Sequence, residues 1–263
     1  MGTYLDRIVE ATLARIQEEK KQKSFNDLDR EVPHAPEPRD FEGALLAEGM
    51  SLIAEIKKAS PSAGPIQANA DAEKIAEAYE RGGARALSVL TEPQFFLGAI
   101  EDLHAAHAAS DLPALRKDFI VDPYQVVQSR VEGADAILLI VAALPDRGLY
   151  AELAAAAREY DLPALIEVHD AFELELAFKV DASIVGINQR NLTTFEVDRG
   201  LAAQLRTFIP PEVAVVAESG IDSRAQVEEL AEAGVDAILV GEALMRSEDP
   251  AAAVSELLGT SLD

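Results

Sequence analysis

The chain has 263 residues, of which 49% are apolar, and its 47 acidic side chains outnumber 23 basic ones to give a formal net charge of −24. Such a field repels nucleic acids and anionic membrane surfaces, so we expect neither as a partner. Cysteine is absent, which excludes disulfides, thiolate metal sites and a cysteine nucleophile.

The amino terminus shows neither a signal peptide nor an apolar run of 18 residues, so we expect a soluble cytoplasmic protein. Lysine occurs only eight times, and acidic residues recur on nearly every predicted helix. This composition is typical of halophilic proteins, which leads to the hypothesis of a high-salt cytoplasm.

The first fifty residues are predicted to form a helical extension. Residues 3–22 have the pattern of an amphipathic helix, residues 32–38 form a proline-rich connector, and residues 41–48 form a short helical segment. We expect residues 1–50 to pack on a main body of residues 51–263, as a single domain overall. The apolar face of the first helix comprises Leu5, Ile8, Val9, Leu13 and Ile16.

From Ser51 onward, apolar runs alternate with helical patterns. The runs lack apolar/polar alternation, which indicates parallel strands buried on both faces. Eight such units fit a (β/α)8 TIM barrel, whose usual size is about 250 residues. The predicted strands are 52–56, 86–90, 114–119, 136–141, 164–168, 183–187, 213–217 and 237–240. The predicted helices between and after them include 71–81, 124–131, 148–160, 171–178, 201–208, 223–233 and 250–258.

An open, doubly wound sheet is the alternative fold. It would normally carry G-x-G-x-x-G after its first strand, and this chain has no such motif. Glycines instead precede strands, as at Gly83, Gly133 and Gly234, where they fit helix C-caps. The barrel is therefore favoured, and it predicts a functional site at the carboxyl ends of the strands.

Polar residues gather at these strand ends. Glu55 and Lys57 are two residues apart and should lie on the same side of the first strand. Burying two ionised groups costs several kcal/mol each, as a rough guide, unless pairing or function compensates. Closure of the barrel would bring them together with the ends of the other strands. The other polar strand-end residues include Lys117, Glu167, Asn188, Arg190, Glu218, Ser219, Gly220 and Gly241.

The residue types at the strand ends suggest proton transfer on a phosphorylated ligand. Lys117 flanked by carboxylates such as Glu55 and Glu167 would keep its proton and suits a general acid. The loops after strands seven and eight of barrels often bind phosphate through backbone amides, and Lys57 would add a positive charge. Arg190 could hold a further anionic or hydroxylated part of the ligand. Phe96 and Phe119 would either wall a flat apolar part of it or only pack in the core.

The four histidines predict no metal site. His104 and His107 are three residues apart on a helix that should face outward, and His34 lies in the connector. His169 follows the fifth strand, and alternation does not assign it a direction. No metal-ligand spacing is visible, so we expect neither a metal nor a cofactor.

Several motifs occur in the order of one known family. They are IAEIKKASPSAG (53–64), SVLTEPQFFLG (88–98), LRKDFIVD (115–122), LIEVHD (165–170), GINQRNL (186–192), AESGI (217–221) and VGEALM (240–245). Through these blocks, which span nearly the whole chain, the sequence resembles the indole-3-glycerol phosphate synthase family of tryptophan biosynthesis. One departure is Ala68-Asn69-Ala70-Asp71, where the family often has an Asp-Phe-Asp-Pro-like stretch.

The resemblance implies an enzyme without a cofactor that converts 1-(o-carboxyphenylamino)-1-deoxyribulose 5-phosphate to indole-3-glycerol phosphate, releasing carbon dioxide and water. It implies that Lys117 protonates the ketone oxygen during ring closure, and that Glu167, Lys57 and Glu55 share the dehydration. The implied substrate-binding residues are Ser60, Phe96, Phe119, Asn188, Arg190 and Glu218. The implied phosphate-binding residues are Lys57, Ser219, Gly220, Gly241 and, through its backbone, Glu242.

Two other functions remain open for such a barrel. One is a Schiff-base aldolase with Lys117 or Lys57 as nucleophile, and the other is a non-catalytic barrel that binds a phosphorylated metabolite. The related isomerase of the same pathway typically relies on a cysteine base, which this chain lacks. In each case we expect a phosphorylated small molecule as the ligand and favour a monomer.

Overall fold

Eight short runs of buried apolar residues form a closed barrel of parallel strands in the computed structural model, which describes residues 3–262. The strands pair in chain order, and the first also pairs with the last. The predicted (β/α)8 TIM barrel is therefore confirmed. The strands are β1 Ser51–Ile56, β2 Ala86–Leu90, β3 Ala114–Lys117, β4 Ala136–Ile140, β5 Ala164–Val168, β6 Ile184–Asn188, β7 Ala214–Glu218 and β8 Ala237–Val240.

The strand side chains point alternately into the barrel and toward the surrounding helices, so both faces are buried. Ile53, Leu115 and Leu165 belong to the cluster that fills the interior. Leu52, Leu87 and the helices pack in a second, outer cluster. Since apolar side chains fill the lower part of the barrel, the charged strand-end residues lie together above them.

The chain before the barrel forms three helices and a 3₁₀ turn at Val32–His34. The predicted helix over residues 3–22 is confirmed, and Thr3 caps it. The helix at 25–31 precedes the proline-rich connector and was not predicted, and the 3₁₀ turn lies inside the connector, which was expected to be irregular. These helices are α1 Tyr4–Gln22, α2 Phe25–Glu31 and α3 Phe41–Leu45.

Aspartate caps recur among the helices that follow the strands, since a carboxylate satisfies the free amides of a first helical turn. The caps are Asp71, Asp122, Asp146, Asp170 and Asp249. The full set of helices that follow the strands is α4 Ala72–Arg81, α5 Ile100–Ala109, α6 Pro123–Val131, α7 Arg147–Glu159, α8 Ala171–Phe178, α9 Leu201–Arg206, α10 Arg224–Glu232, α11 Glu242–Met245 and α12 Pro250–Leu258. Within residues 3–262, no helix is both long and apolar enough to cross a membrane.

Three details of the predicted pattern are wrong. The helical segment predicted over residues 41–48 ends at Leu45. Strand β3 ends at Lys117 instead of continuing to residue 119, because the Phe119 amide donates to the Asp118 carboxylate and not to a neighbouring strand. On α1, Leu13 is 42% exposed. Thr12 takes its place in the buried stripe, which follows the four-residue spacing of Ile8, Thr12 and Ile16.

The extension contacts the barrel at both ends. At the carboxyl end of β3, Arg15 of α1 donates to both oxygens of Asp118 at 3.0 Å. At the amino end of β1, the Ser51 hydroxyl donates to the Leu45 carbonyl of α3, and Phe41 and Leu45 join the interior cluster. Met1, Gly2 and Asp263, the outermost residues of the two ranges predicted as extension and barrel, lie outside the described residues.

Candidate active site

A cavity of about 530 Å³ opens at the carboxyl ends of the strands. Every site residue predicted from the sequence lines it, so the structure brings all of them together. They are Glu55, Lys57, Ser60, Phe96, Lys117, Phe119, Glu167, Asn188, Arg190, Glu218, Ser219, Gly220, Gly241 and Glu242.

The floor of the cavity holds a buried cluster of two ammonium groups and three carboxylates. The Lys117 Nζ atom lies 2.6 Å from Glu218 Oε2, 3.7 Å from Glu167 Oε2 and 3.9 Å from Glu55 Oε2. Lys57 Nζ lies 2.6 Å from Glu55 Oε1, which confirms that these two side chains share one side of the strand end. The cluster therefore combines proton donors and acceptors within one small volume.

The cluster shifts the protonation of its members. Burial alone would lower the pKa of Lys117, but the carboxylates of Glu218, Glu167 and Glu55 outweigh it and raise that pKa. Burial, with the charges of Glu167 and Glu55, raises the pKa of Glu218 to about 7 although Lys117 acts against this shift. At neutral pH, Lys117 is thus an ammonium that can donate a proton.

Two glycines make room for the carboxylates. A Cβ atom at Gly186 of β6 would overlap Glu218 Oε1, and one at Gly241 after β8 would overlap Glu55 Oε1. Neither glycine has a positive φ, so space is the reason for glycine at both positions. Any larger side chain at either position would displace a carboxylate of the cluster.

The loop after β7 has an unusual backbone. Ser219 and Gly220 are consecutive residues with φ of +68° and +75°, in the left-handed region. That conformation costs a non-glycine residue roughly 1–2 kcal/mol, and such strain often occurs at binding sites. A Cβ atom at Gly220 would also overlap Val197, so the loop backbone is closely packed against the β6–α9 loop.

The remaining loops complete an apolar wall and a polar rim. The rings of Phe96 and Phe119 lie 6.0 Å apart. The buried Glu92 carboxylate accepts bonds from the Gln94, Phe95 and Phe96 amides, which fixes the loop that carries Phe96.

At the rim, hydrogen bonds link Arg190 and Asn188 to the β6–α9 loop. Arg190 donates through Nη1 to the Phe195 carbonyl, and its amide donates to Asn188 Oδ1. The side-chain amide of Asn188 in turn donates to Glu167 Oε1 at 3.0 Å. These bonds hold Asn188 between the charged cluster and the rim.

Sequence reasoning missed several residues that line the cavity. Tyr4, Leu5 and Ile8 of α1 form part of the wall, although the amphipathic pattern predicted only that Leu5 and Ile8 are buried. Arg199 and Arg246 lie beyond the strand ends, where alternation gives no signal, and pair with Asp222 at 3.1 Å and Glu242 at 2.9 Å.

His169, which the sequence left unassigned, lies next to the cluster. Its Nε2 atom is 3.3 Å from Glu167 Oε1, and its Nδ1 atom is 3.0 Å from Glu173 Oε2. Burial would lower the pKa of His169, but the two carboxylates raise it to about 10. Burial would raise the pKa of Glu167, but His169, Lys117 and Asn188 hold it below its ordinary value.

Comparison with known proteins identifies the family. A sequence model of indole-3-glycerol phosphate synthase matches residues 5–257. The chain is 44% identical to the indole-3-glycerol phosphate synthase of Mycolicibacterium vanbaalenii over 257 residues, covering 98% of this chain and 94% of that protein. It is 45% identical to that of an Acidovorax species over 265 residues, covering 98% and 99%. The chain belongs to the indole-3-glycerol phosphate synthase family.

This membership confirms the resemblance inferred from the motifs and the predicted function, the formation of indole-3-glycerol phosphate in tryptophan biosynthesis. Among solved structures, a 3-hexulose-6-phosphate synthase is similar with a TM-score of 0.65 and 18% identity, covering 80% of this chain and 99% of that one. At such low identity, this likeness supports the barrel fold alone.

Proposed function

We propose that the cavity carries out a carboxy-lyase reaction in which 1-(o-carboxyphenylamino)-1-deoxyribulose 5-phosphate undergoes ring closure, decarboxylation and dehydration. The observation that carries the proposal is the Lys117 ammonium, held among three carboxylates on the cavity floor. A donor in that position suits a reaction in which negative charge develops on a ketone oxygen.

Ring closure comes first. A carbon of the aromatic ring attacks the ketone carbon, the carbonyl electron pair moves onto oxygen, and Lys117 gives that oxygen a proton. Carbon dioxide then leaves, and the electron pair of the broken bond restores the aromatic ring. Because its carboxylate neighbours raise the pKa of Lys117, the ammonium form is available at neutral pH.

Dehydration completes the reaction. The new hydroxyl leaves as water, which needs a proton donor, and a proton on the adjacent carbon is removed by a base. Glu167, Lys57 and Glu55 are our candidates for these transfers. The lowered pKa of Glu167 keeps its carboxylate ionised and so able to accept a proton, while Lys57, bound to Glu55 at 2.6 Å, is the candidate donor.

The substrate would be placed by the surrounding loops. We assign its phosphate to the backbone at Ser219, Gly220, Gly241 and Glu242, with Lys57 on the inner side. The Glu242 carboxylate is bound to Arg246, which leaves its backbone as the part that can serve an anion.

The other binding residues surround the sugar and the aromatic ring. Phe96 and Phe119 would flank the aromatic ring together with Ser60, and Asn188, Arg190 and Glu218 would bind the sugar chain. A Schiff-base aldolase that uses Lys117 is disfavoured, because Lys117 held as an ammonium is a poor nucleophile.

Turnover by purified protein tests the proposal. We expect wild-type protein to form indole-3-glycerol phosphate, followed by its indole fluorescence, and Lys117→Met to reduce kcat by at least about 10³-fold. Lys117→Met should still bind inorganic phosphate, because Lys117 contacts none of the assigned phosphate loops. The control Lys74→Met changes an exposed lysine paired with Asp71 and should keep wild-type activity. Binding of the substrate without product formation would instead favour a non-catalytic barrel.

The remaining expectations stay predictions. They are the single domain formed by residues 1–50 and 51–263, the monomeric state, the cytoplasmic location and the need for high salt. The acidic surplus supports the last of these, because counterions at high salt screen mutual repulsion. Equal free energies of unfolding in dilute and in molar salt would contradict it.

A further inference from the structure

The imidazole of His169 bridges two carboxylates behind the cavity. It lies between Glu167 at the end of β5 and Glu173 in the first turn of α8, at 3.3 and 3.0 Å. The His169 amide also donates to Glu173 Oε2 at 2.8 Å, so Glu173 holds both the backbone and the ring. His169 does not line the cavity, whereas Glu167 does.

Other charged groups border this bridge. Lys117 lies 3.7 Å from Glu167 Oε2, and the Asn188 amide donates to Glu167 Oε1. On α8, the Glu173 amide is capped by Asp170. On α7, Arg147 and the Tyr150 hydroxyl are the neighbouring groups: burial raises the pKa of Tyr150, Arg147 lowers it and Glu173 raises it further.

The geometry determines the charge of the ring. A neutral imidazole has one N–H and one lone pair, so one of its nitrogens would present a lone pair to a carboxylate. An imidazolium presents an N–H to each side and is attracted to both carboxylates. Only 13% of the side-chain surface is exposed, so water screens little of this attraction.

The contact with Glu167 is electrostatic more than directional. The pair lies within ion-pair distance at 3.3 Å, but Nε2 makes no hydrogen bond within the described residues. Glu173, in contrast, is hydrogen-bonded to both the Nδ1 atom and the backbone amide of His169. Glu173 therefore fixes the ring, and the ring acts on Glu167 mainly through its charge.

We propose that His169, fixed by Glu173, is a positioning residue that keeps Glu167 ionised and in place, so that Glu167 serves as the base that removes the carbon-bound proton in the dehydration. This inference rests on the proposed function. Neither His169 nor Glu173 lines the cavity, so their effect passes through Glu167, which does.

Loss of the imidazolium should change the protonation of Glu167. Burial would then act against fewer stabilising neighbours, and the pKa of Glu167 would rise. In steady-state assays on the full chain from pH 5 to 9, we expect His169→Gln to raise the acidic limb of the kcat profile from below pH 5 to near pH 7, the pKa that burial gives the neighbouring Glu218. At pH 6, one unit below that limb, kcat should therefore fall roughly 10-fold while KM stays within about two-fold.

Two variants separate this role from a general structural one. Glu173→Gln should shift the acidic limb in the same direction by a smaller amount, because the ring remains but loses one carboxylate. His104→Gln removes a histidine that binds Glu132 on the outer surface and should leave the profile unchanged. If His169→Gln fails to fold, Glu173→Gln carries the test.

A double-mutant cycle identifies Glu167 as the residue through which His169 acts. Glu167→Gln alone should lower kcat by about 10²-fold or more. At pH 6, adding His169→Gln should then lower kcat by less than two-fold further, because no carboxylate is left to hold. By NMR, the wild-type His169 ring should remain an imidazolium at pH 8, since its pKa lies at about 10.

The outcomes that contradict the inference are distinct from failure of the proposed function. A wild-type profile in both His169→Gln and Glu173→Gln, an undiminished effect in the Glu167→Gln background, or a neutral ring at pH 8 would overturn it. If wild-type protein forms product and Lys117→Met does not, the proposed function stands whatever these variants show.

Discussion

Arg116 and Lys117 are neighbouring cations on β3 that point to opposite sides of the barrel wall. Arg116 faces outward, where it donates to Thr91 at 3.2 Å, Ser129 at 3.1 Å and Asp118 at 3.1 Å. Asp118 receives further bonds from Arg15, Thr91 and the Phe119 amide. This outer network pairs one buried carboxylate with two guanidinium groups. A buried polar network whose members are hydrogen-bonded in this way stabilises the fold.

Lys117 faces inward, where the balance is reversed. One ammonium is shared by three carboxylates, and Glu218 Oε1 is buried without a hydrogen-bond partner in the described part of the chain. Both Asp118 oxygens of the outer network accept hydrogen bonds, whereas the inner cluster retains Glu218 Oε1 for a ligand. The number of unpaired buried polar atoms, more than burial or charge, therefore separates the stabilising network around Arg116 from the reactive cluster around Lys117.

The largest expected effect concerns the stability of the outer network. Arg116→Met should lower the free energy of unfolding by about 3–5 kcal/mol, because it breaks a buried ion pair and leaves Asp118 with less compensation. Lys117→Met, one residue away, should cost at least about 2 kcal/mol less, since Glu218 can take up a proton near neutral pH. Urea unfolding of both variants measures the difference, and equal losses would contradict the comparison.

An intermediate effect is expected from the pH dependence of the inner cluster. The pKa of Glu218 in the folded protein, about 7, lies above its ordinary value of 4.5. The stability from this group is therefore fully present below pH 4.5 and is lost as the pH rises through 7. Between these limits, the free energy of unfolding of wild-type protein should fall by about 1–3 kcal/mol relative to Glu218→Gln. Urea midpoints at constant salt test this, and parallel curves would contradict it.

The smallest effect is expected at Thr91. Thr91→Val preserves shape but removes the hydroxyl that donates to Asp118 and accepts from Arg116. The free energy of unfolding should fall by about 1–2 kcal/mol. Turnover should stay within about two-fold of wild type, because Thr91 lies in the outer network. A large loss of kcat with little loss of stability would show that the two regions are not separate.

The sequence allowed the inner cluster to be predicted, because strand alternation and barrel closure are local and topological rules. Glu55 and Lys57 are an example, since spacing alone placed them on one side. The outer network was not predictable in this way. Its bond between Arg15 and Asp118 joins residues 103 positions apart, and no local pattern links them.

The other misses have similar causes. Alternation ends with the strand at Val168, so it could not orient His169. The choice of Thr12 over Leu13 for the buried stripe of α1 depends on the packing angle between the helix and the barrel. The same angle turns Tyr4 toward the cavity, where its ring packs edge-on against Phe95 and Phe195.

The position of α1 has a consequence for biosynthesis. The helix emerges from the ribosome early, but its anchor Asp118 is translated 103 residues later. At about 5–20 residues per second, the helix waits at least several seconds for its partner. The wall formed by Tyr4, Leu5 and Ile8 can close only after β3 has been translated, so the first-made segment docks later than the first two strands are made.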